Sequence, residues 1–231
     1  MKLHKIIGGI IPLVLLLVLL GGCQGVHFRG ETDEKVVALT FDDGPHPVYT
    51  PRVLEILETF GVKASFFLIG RQARSHPEIV LQIKAQGHEI ENHSENHLFY
   101  LPWLPAERIR QEIVSAQETI QRITGSYPSF FRSPLGWVSN DLVAVCRELT
   151  LPIINGSVKA GDVSLPGTEY IIQTVLDKTR NGAIIILHDA GGVGHYRDRT
   201  QTLEALPIII QNLKDRGYKF VLIKELINSL S

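Results

Sequence analysis

From about residue 35 to 225, short apolar runs alternate with longer stretches of helical periodicity. That alternation constrains the fold more than any other feature of the chain. Strand candidates are Val36–Phe41, Ala64–Ile69, His88–Asn92, Ser129–Arg132, Pro152–Asn155, Ala183–Leu187 and Lys219–Ile223. Each is short and rich in Val, Ile, Leu or Phe, as strands covered on both faces are. Helix candidates fill the gaps: Pro51–Phe60, Pro77–Gln86, Pro105–Thr124, Asn140–Leu149, Thr168–Arg180 and Thr200–Arg216. In the longest, Ile109, Ile113, Ala116, Ile120 and Ile123 recur three or four apart, and Gly125 supplies a stop. Repeated strand–helix alternation predicts a parallel α/β fold in one domain. Seven strand candidates suit a barrel better than an open sheet. No internal repeat or low-complexity segment interrupts the pattern.

In such folds working residues gather where strands end at their C-terminal edge. Thr40-Phe41-Asp42-Asp43-Gly44-Pro45 sets two adjacent carboxylates between an apolar run and a turn, and His93-Ser94-Glu95-Asn96-His97 follows about fifty residues on. Asp43, His93 and His97 would make one carboxylate and two imidazoles, a set that suits zinc or another divalent transition metal. Asp42 would then be free to act as a base. Arg132, Asp162 and His188 also fall just after strand candidates or in the next loop. Taken alone, two histidines four apart read first as surface residues on one helical turn.

The N-terminus has a different character. Lys2 and Lys5 precede an apolar run of 15 residues, Ile6 to Leu20, and then Gly21-Gly22-Cys23. The run is shorter than the ~20 residues a helix needs to cross a bilayer. A basic start, an apolar stretch and small residues before a cleavage point mark an export signal over residues 1–22. A Cys directly after Leu-Gly-Gly resembles the bacterial lipoprotein signal, which implies lipidation of Cys23 and a membrane anchor outside the cytoplasm. Residues 23–34 read as the lipidated Cys and a polar tether, with the catalytic domain over 35–231. Removing residues 1–22 takes away two lysines and no acids, so the formal charge moves from −1 to −3. No basic stripe points to nucleic acid, and nothing indicates an obligate protein partner. Once Cys23 is lipidated only Cys146 remains, in the apolar run Leu142 to Cys146, where it reads as a buried small hydrophobe.

Five motifs occur in order: Thr-Phe-Asp-Asp-Gly-Pro, His-Ser-x-x-His, Arg132-Ser-Pro-Leu-Gly136, Gly161-Asp162 and Leu187-His188-Asp189. Together they resemble the NodB-homology polysaccharide deacetylases, metal-dependent carbohydrate esterases with a distorted (β/α) barrel. The resemblance covers about residues 35–225. It implies Asp43, His93 and His97 as metal ligands, with zinc first and cobalt or another transition metal next. It implies Asp42 as the base that takes a proton from the attacking water. His188 would protonate the leaving amine, and an imidazole suits that task because its ordinary pKa is near neutral. Arg132 would orient the base, and Asp162 would hold the acid histidine and support its charged form. The backbone N–H of Leu135 would help stabilise the oxyanion, and Leu187 would wall the acetyl pocket.

The chain departs from the family pattern in places. Leu135 stands where an aromatic often follows Arg-x-Pro. Lys159 and Val163 stand where the fourth motif often has Asp and Trp, which implies an acetyl pocket of different shape. Trp137 would restore some aromatic surface for a sugar ring. The function implied is removal of N-acetyl groups from an extracytoplasmic amino-sugar polymer: peptidoglycan, an exopolysaccharide or a chitooligosaccharide. O-deacetylation or deformylation of another carbohydrate uses similar machinery. A weakly active carbohydrate-binding or morphogenetic protein is the reading from a different class.

Overall fold

The structure is a computed structural model, and it describes residues 25–191 and 198–228. The expected export signal and Cys23 lie outside the described residues. Strand β2 (Val36–Asp42) occupies the centre. It pairs in parallel with β7 (Ala183–His188) on one side. On the other it pairs with β3 (Ser65–Leu68) through its second half and with β8 (Lys219–Val221) through its first. β4 (Glu89–Asn92) continues beyond β3, and β6 (Val158–Lys159) beyond β7. From β4 the ring passes through single parallel bridges, Asn92 to Phe131 and Phe131 to Ile153, into β5 (Ile153–Ile154). This is a distorted (β/α) barrel.

Side chains alternate across the strands with period two. Val37, Leu39 and Phe41 of β2, with Ile185 and Leu187 of β7, pack outward under helices α1 (Tyr49–Thr59), α3 (Pro77–Ala85), α6 (Thr168–Lys178) and α7 (Thr200–Asp215). Ala38 and Ile184 face inward, where they meet Phe67, Phe130 and Ile154. Ile223 and Leu226 of α8 (Ile223–Asn228) join that inner cluster and close one end of the barrel. Helix α4 (Ala106–Thr124) buries the Ile109–Ile120 stripe expected of it, and Gly125 ends it at φ 77°, a left-handed turn that glycine adopts without strain. α5 (Asn140–Glu148) is capped by the Ser139 hydroxyl, which accepts the Leu142 N–H. Cys146 is a free, buried thiol, and burial pushes its pKa up to about 12.

Several expected elements differ. Ser129–Arg132 forms no strand; only Phe131 bridges its neighbours, while Arg132 turns into the barrel. The last strand stops at Val221, and Ile223 begins a helix. α2 (Gly70–Ser75) and β6 were not anticipated, because six residues and two residues are too short to show a period. Part of the segment read as a tether is built into the domain. β1 (Val26–His27) pairs with β5, and the Gly30 N–H donates to the Gly182 carbonyl. Among the described residues no helix is long and apolar enough to cross a membrane.

Candidate active site

The C-terminal edge of the barrel opens into a cleft of about 520 Å³. Register places its chemistry: Asp42 and His188 are partners across β2 and β7, so two strand ends deliver a carboxylate and an imidazole side by side. Asp43 follows in a turn at φ 77°. Ser94 and His97 have φ 66° and 53°, a region non-glycine residues rarely occupy. Local hydrogen bonds hold that backbone. Asn92 Oδ1 accepts the Ser94 N–H at 2.8 Å, and Ser94 Oγ accepts the His97 N–H at 3.0 Å. The two histidines therefore meet across a strained turn, not on one helical turn. Their rings lie 4.9 Å apart.

Asp43 Oδ1 lies 3.5 Å from His93 Nε2 and 3.1 Å from His97 Nε2. His93 Nδ1 is 2.8 Å from the Arg132 carbonyl, which can only accept, so the ring proton resides on Nδ1. A neutral His93 thus turns a lone pair on Nε2 toward the carboxylate. Asp43 Oδ1 is buried with no donor aligned on it. One ligand atom from each of the three residues lies within 4.8 Å of the others. Facing lone pairs repel unless a cation sits among them, so this donor set fits a divalent metal.

Arg132 is buried and is spent on positioning. Its Nη1 donates to Asp42 Oδ1 at 2.5 Å and to Thr40 Oγ1 at 2.8 Å, and its Nε to the Ile154 carbonyl at 3.0 Å. The guanidinium lies over the Phe67 ring, 3.8 Å from its centroid. Such a clamp fixes the position of the Asp42 carboxylate. Removal from water lowers the Arg132 pKa, and the Asp42 charge opposes that.

On the opposite wall, Asp162 opens a 3₁₀ turn, Asp162–Ser164. Its Oδ2 accepts the His188 backbone N–H at 2.9 Å and the Thr202 hydroxyl at 3.0 Å. Its Oδ1 is 2.9 Å from His188 Nδ1, which leaves Nε2 of that ring for a substrate. Burial works against charge on His188, but Asp162 first, then Asp43 and Asp42, raise its pKa to about 9. Burial likewise opposes charge on Asp162, and His188 more than offsets it. The imidazolium form is therefore favoured.

Arg132, Leu135, Lys159, Val163 and His188 all line the cleft with the three ligand residues. Leu135 sits at φ 58° in the turn that follows Arg132. Leu187 does not line it. His188 and Ile186 point inward, so period two sends Leu187 into the outer core, and Ile186 forms that wall instead. Trp137 lies in an adjoining groove rather than in the cleft. Sequence reasoning passed over Thr40, Asn92, Asn155 and Arg199. Buried Arg199 gives its Nε to the Ala190 carbonyl and its Nη1 to the Asp162 carbonyl. Asn92, directly before His93 at a strand end, was the one with a legible signal.

Comparison with known proteins places this geometry. The profile of the polysaccharide deacetylase family matches residues 29–154. A peptidoglycan-N-acetylglucosamine deacetylase of Bacillus cereus is 36% identical over 204 residues, 87% of this chain and 92% of that protein. A solved peptidoglycan N-acetylglucosamine deacetylase superposes with a TM-score of 0.83 at 32% identity, over 88% of this chain and 92% of the other. A CE4 family pseudoenzyme from Bacillus anthracis superposes with a TM-score of 0.79 at 30% identity, over 87% and 68%.

Proposed function

The chain belongs to the polysaccharide deacetylase family, and from that premise we propose that it hydrolyses N-acetyl groups on an extracytoplasmic amino-sugar polymer, peptidoglycan first. The observation that carries this reading is the pair of hydrogen-bonded dyads at one cleft, Asp42 with Arg132 and His188 with Asp162, beside the Asp43-His93-His97 ligand set. Asp43, His93 and His97 would hold a divalent cation, which would supply polarisation of the acetyl carbonyl and a more acidic attacking water. Asp42, held by Arg132, takes the proton from that water. The Leu135 N–H faces the charge that develops on the carbonyl oxygen. His188, charged through Asp162, gives its Nε2 proton to the departing sugar amine as the C–N bond breaks. Acetate and a free amine result.

The similarity to a peptidoglycan deacetylase supports the substrate class and a place outside the cytoplasm. The export signal over residues 1–22, a lipid on Cys23 and anchoring to the membrane belong to the same proposal. They rest on the Leu-Gly-Gly-Cys pattern. The domain proper starts before residue 35 in this reading, because β1 is paired into it.

The test is acetate release by the full chain from peptidoglycan and from N-acetylglucosamine oligomers, with zinc, cobalt or chelator. Metal-dependent release, lowered at least about thousandfold by Asp42→Asn with metal retained, is expected. No release with one zinc bound per chain would move the reading to another acyl group. No release and no metal would leave a carbohydrate-binding protein, the reading favoured by Lys159, Val163 and the likeness to a pseudoenzyme.

A further inference from the structure

Beside the cleft runs a second groove, lined by Val26, Phe28, Trp103, Trp137, Val138, Gly136 and Asn155. No charged side chain is among them. Gly136 and Asn155 also line the cleft, so the two cavities are continuous. Trp103 and Trp137 meet edge to face, with centroids 5.2 Å apart and planes at 67°. Both are strongly exposed, as is Phe28. Large aromatics are rarely left in water in contact with one another without use.

At the junction Asn155 is buried. Its Nδ2 donates to the Gly136 carbonyl at 3.1 Å, while its Oδ1 has no partner. A Cβ on Gly136 would come within 2.8 Å of that oxygen, so the glycine keeps the junction open. An apolar platform joined to an unpartnered acceptor fits one kind of ligand. A pyranose ring has an apolar face of C–H groups that packs flat on indole, and an edge of hydroxyl and N–H donors.

We propose that the Trp103–Trp137 pair, with Asn155 at its junction to the cleft, is a remote sugar subsite that binds the same polymer chain outside the reacting unit and so sets a preference for longer oligomers. This rests on the deacetylase reading for the polymer's identity. The occupant is carbohydrate: the groove itself carries no charged side chain, and the one cation at the junction, Lys159, whose Nζ lies 3.2 Å from where a Gly136 Cβ would stand, lines the cleft side.

Trp103 and Trp137 are the chain's two tryptophans, so intrinsic fluorescence reports on this groove alone. The full chain in nonionic detergent micelles, with chelator to stop turnover, would be titrated with N-acetylglucosamine oligomers from dimer to hexamer. A saturable change in emission with the longer oligomers and none with the dimer is expected. Trp103→Ala should weaken hexamer binding about tenfold and leave acetate release from the dimer, measured with metal, unchanged. Trp137→Ala, read through Trp103, should likewise weaken hexamer binding about tenfold. Emission that ignores the hexamer, or losses equal on dimer and hexamer, would overturn the subsite. So would a blue shift on transfer to lipid vesicles with no response to sugar, which would make the face a membrane contact. A length-dependent emission change without acetate release from any oligomer would uphold the subsite and sink the deacetylase reading. Acetate release with silent tryptophans would do the reverse.

Discussion

The floor of the cleft and its rim are built on opposite terms. Asp42, Asp43, His93 and Arg132 are each at most 5% exposed, whereas Val163, Trp137, Leu135 and Trp103 run from 37% to 65%. On the floor, Asp42, His93 and Arg132 are each hydrogen-bonded, and Asp43, Ser94 and His97 stand in backbone that costs energy to hold. On the rim, Trp103 and Trp137 meet edge to face. Chemistry demands fixed lone pairs and protons at set distances, so its residues are locked by partners below them. Substrate choice demands contact with something that arrives from solvent, so its residues are left open. The departures from the family pattern at Leu135, Lys159 and Val163 all fall on the cleft's lining, and none belongs to the ligand set or the two dyads.

The contrast breaks most sharply at the ligand set. His93→Ala should lose bound metal and lower acetate release by more than about thousandfold. Metal analysis beside the assay checks this, and full occupancy in the variant would remove His93 as a ligand.

A smaller effect is expected at the acid. Asp162→Asn should cost about a hundredfold in turnover and draw the alkaline limb of the pH profile toward neutrality, because Asp162 is what raises His188 to about 9. The sign carries over to stability. A raised pKa means the folded state holds the proton more tightly, so the His188 contribution is complete below its unfolded value. It is lost as pH rises toward about 9. Metal-free wild type should melt progressively lower across that window, and the Asp162→Asn variant should show a flatter decline. An unmoved alkaline limb would deny Asp162 its role.

The rim should give the smallest change. Val163→Trp narrows the cleft wall, so preference for acetyl over propionyl should rise by at most about tenfold with little change in metal binding. A loss as large as that of the floor variants would erase the distinction between floor and rim.

Local pattern made much of this legible. The six helices over 51–216 and the Val36, Ala64 and Ala183 strands stood out because runs with one period repeat their signal. Asp42, Asp43, His93, His97, Arg132 and His188 were found because each sits at or just past such a run. The Leu187 error was avoidable: once His188 is placed inward, alternation sends its neighbour outward. Other features left no mark. Phe131 bridges two strands without being in one, and α2 and β6 are shorter than any period.

What the chain by itself determined is the parallel α/β alternation, the order of the motifs and the residue types that can bind metal or move protons. Those follow from local periodicity and side-chain chemistry. Tertiary structure alone decided the pairing of Arg132 with Asp42 across 90 positions and of Asp162 with His188 across 26. It alone decided that His93 and His97 face Asp43 from a strained turn, and that Trp103 and Trp137 share a groove. These depend on strand register and loop packing, which bring together residues whose separation along the chain carries no information about their distance in space.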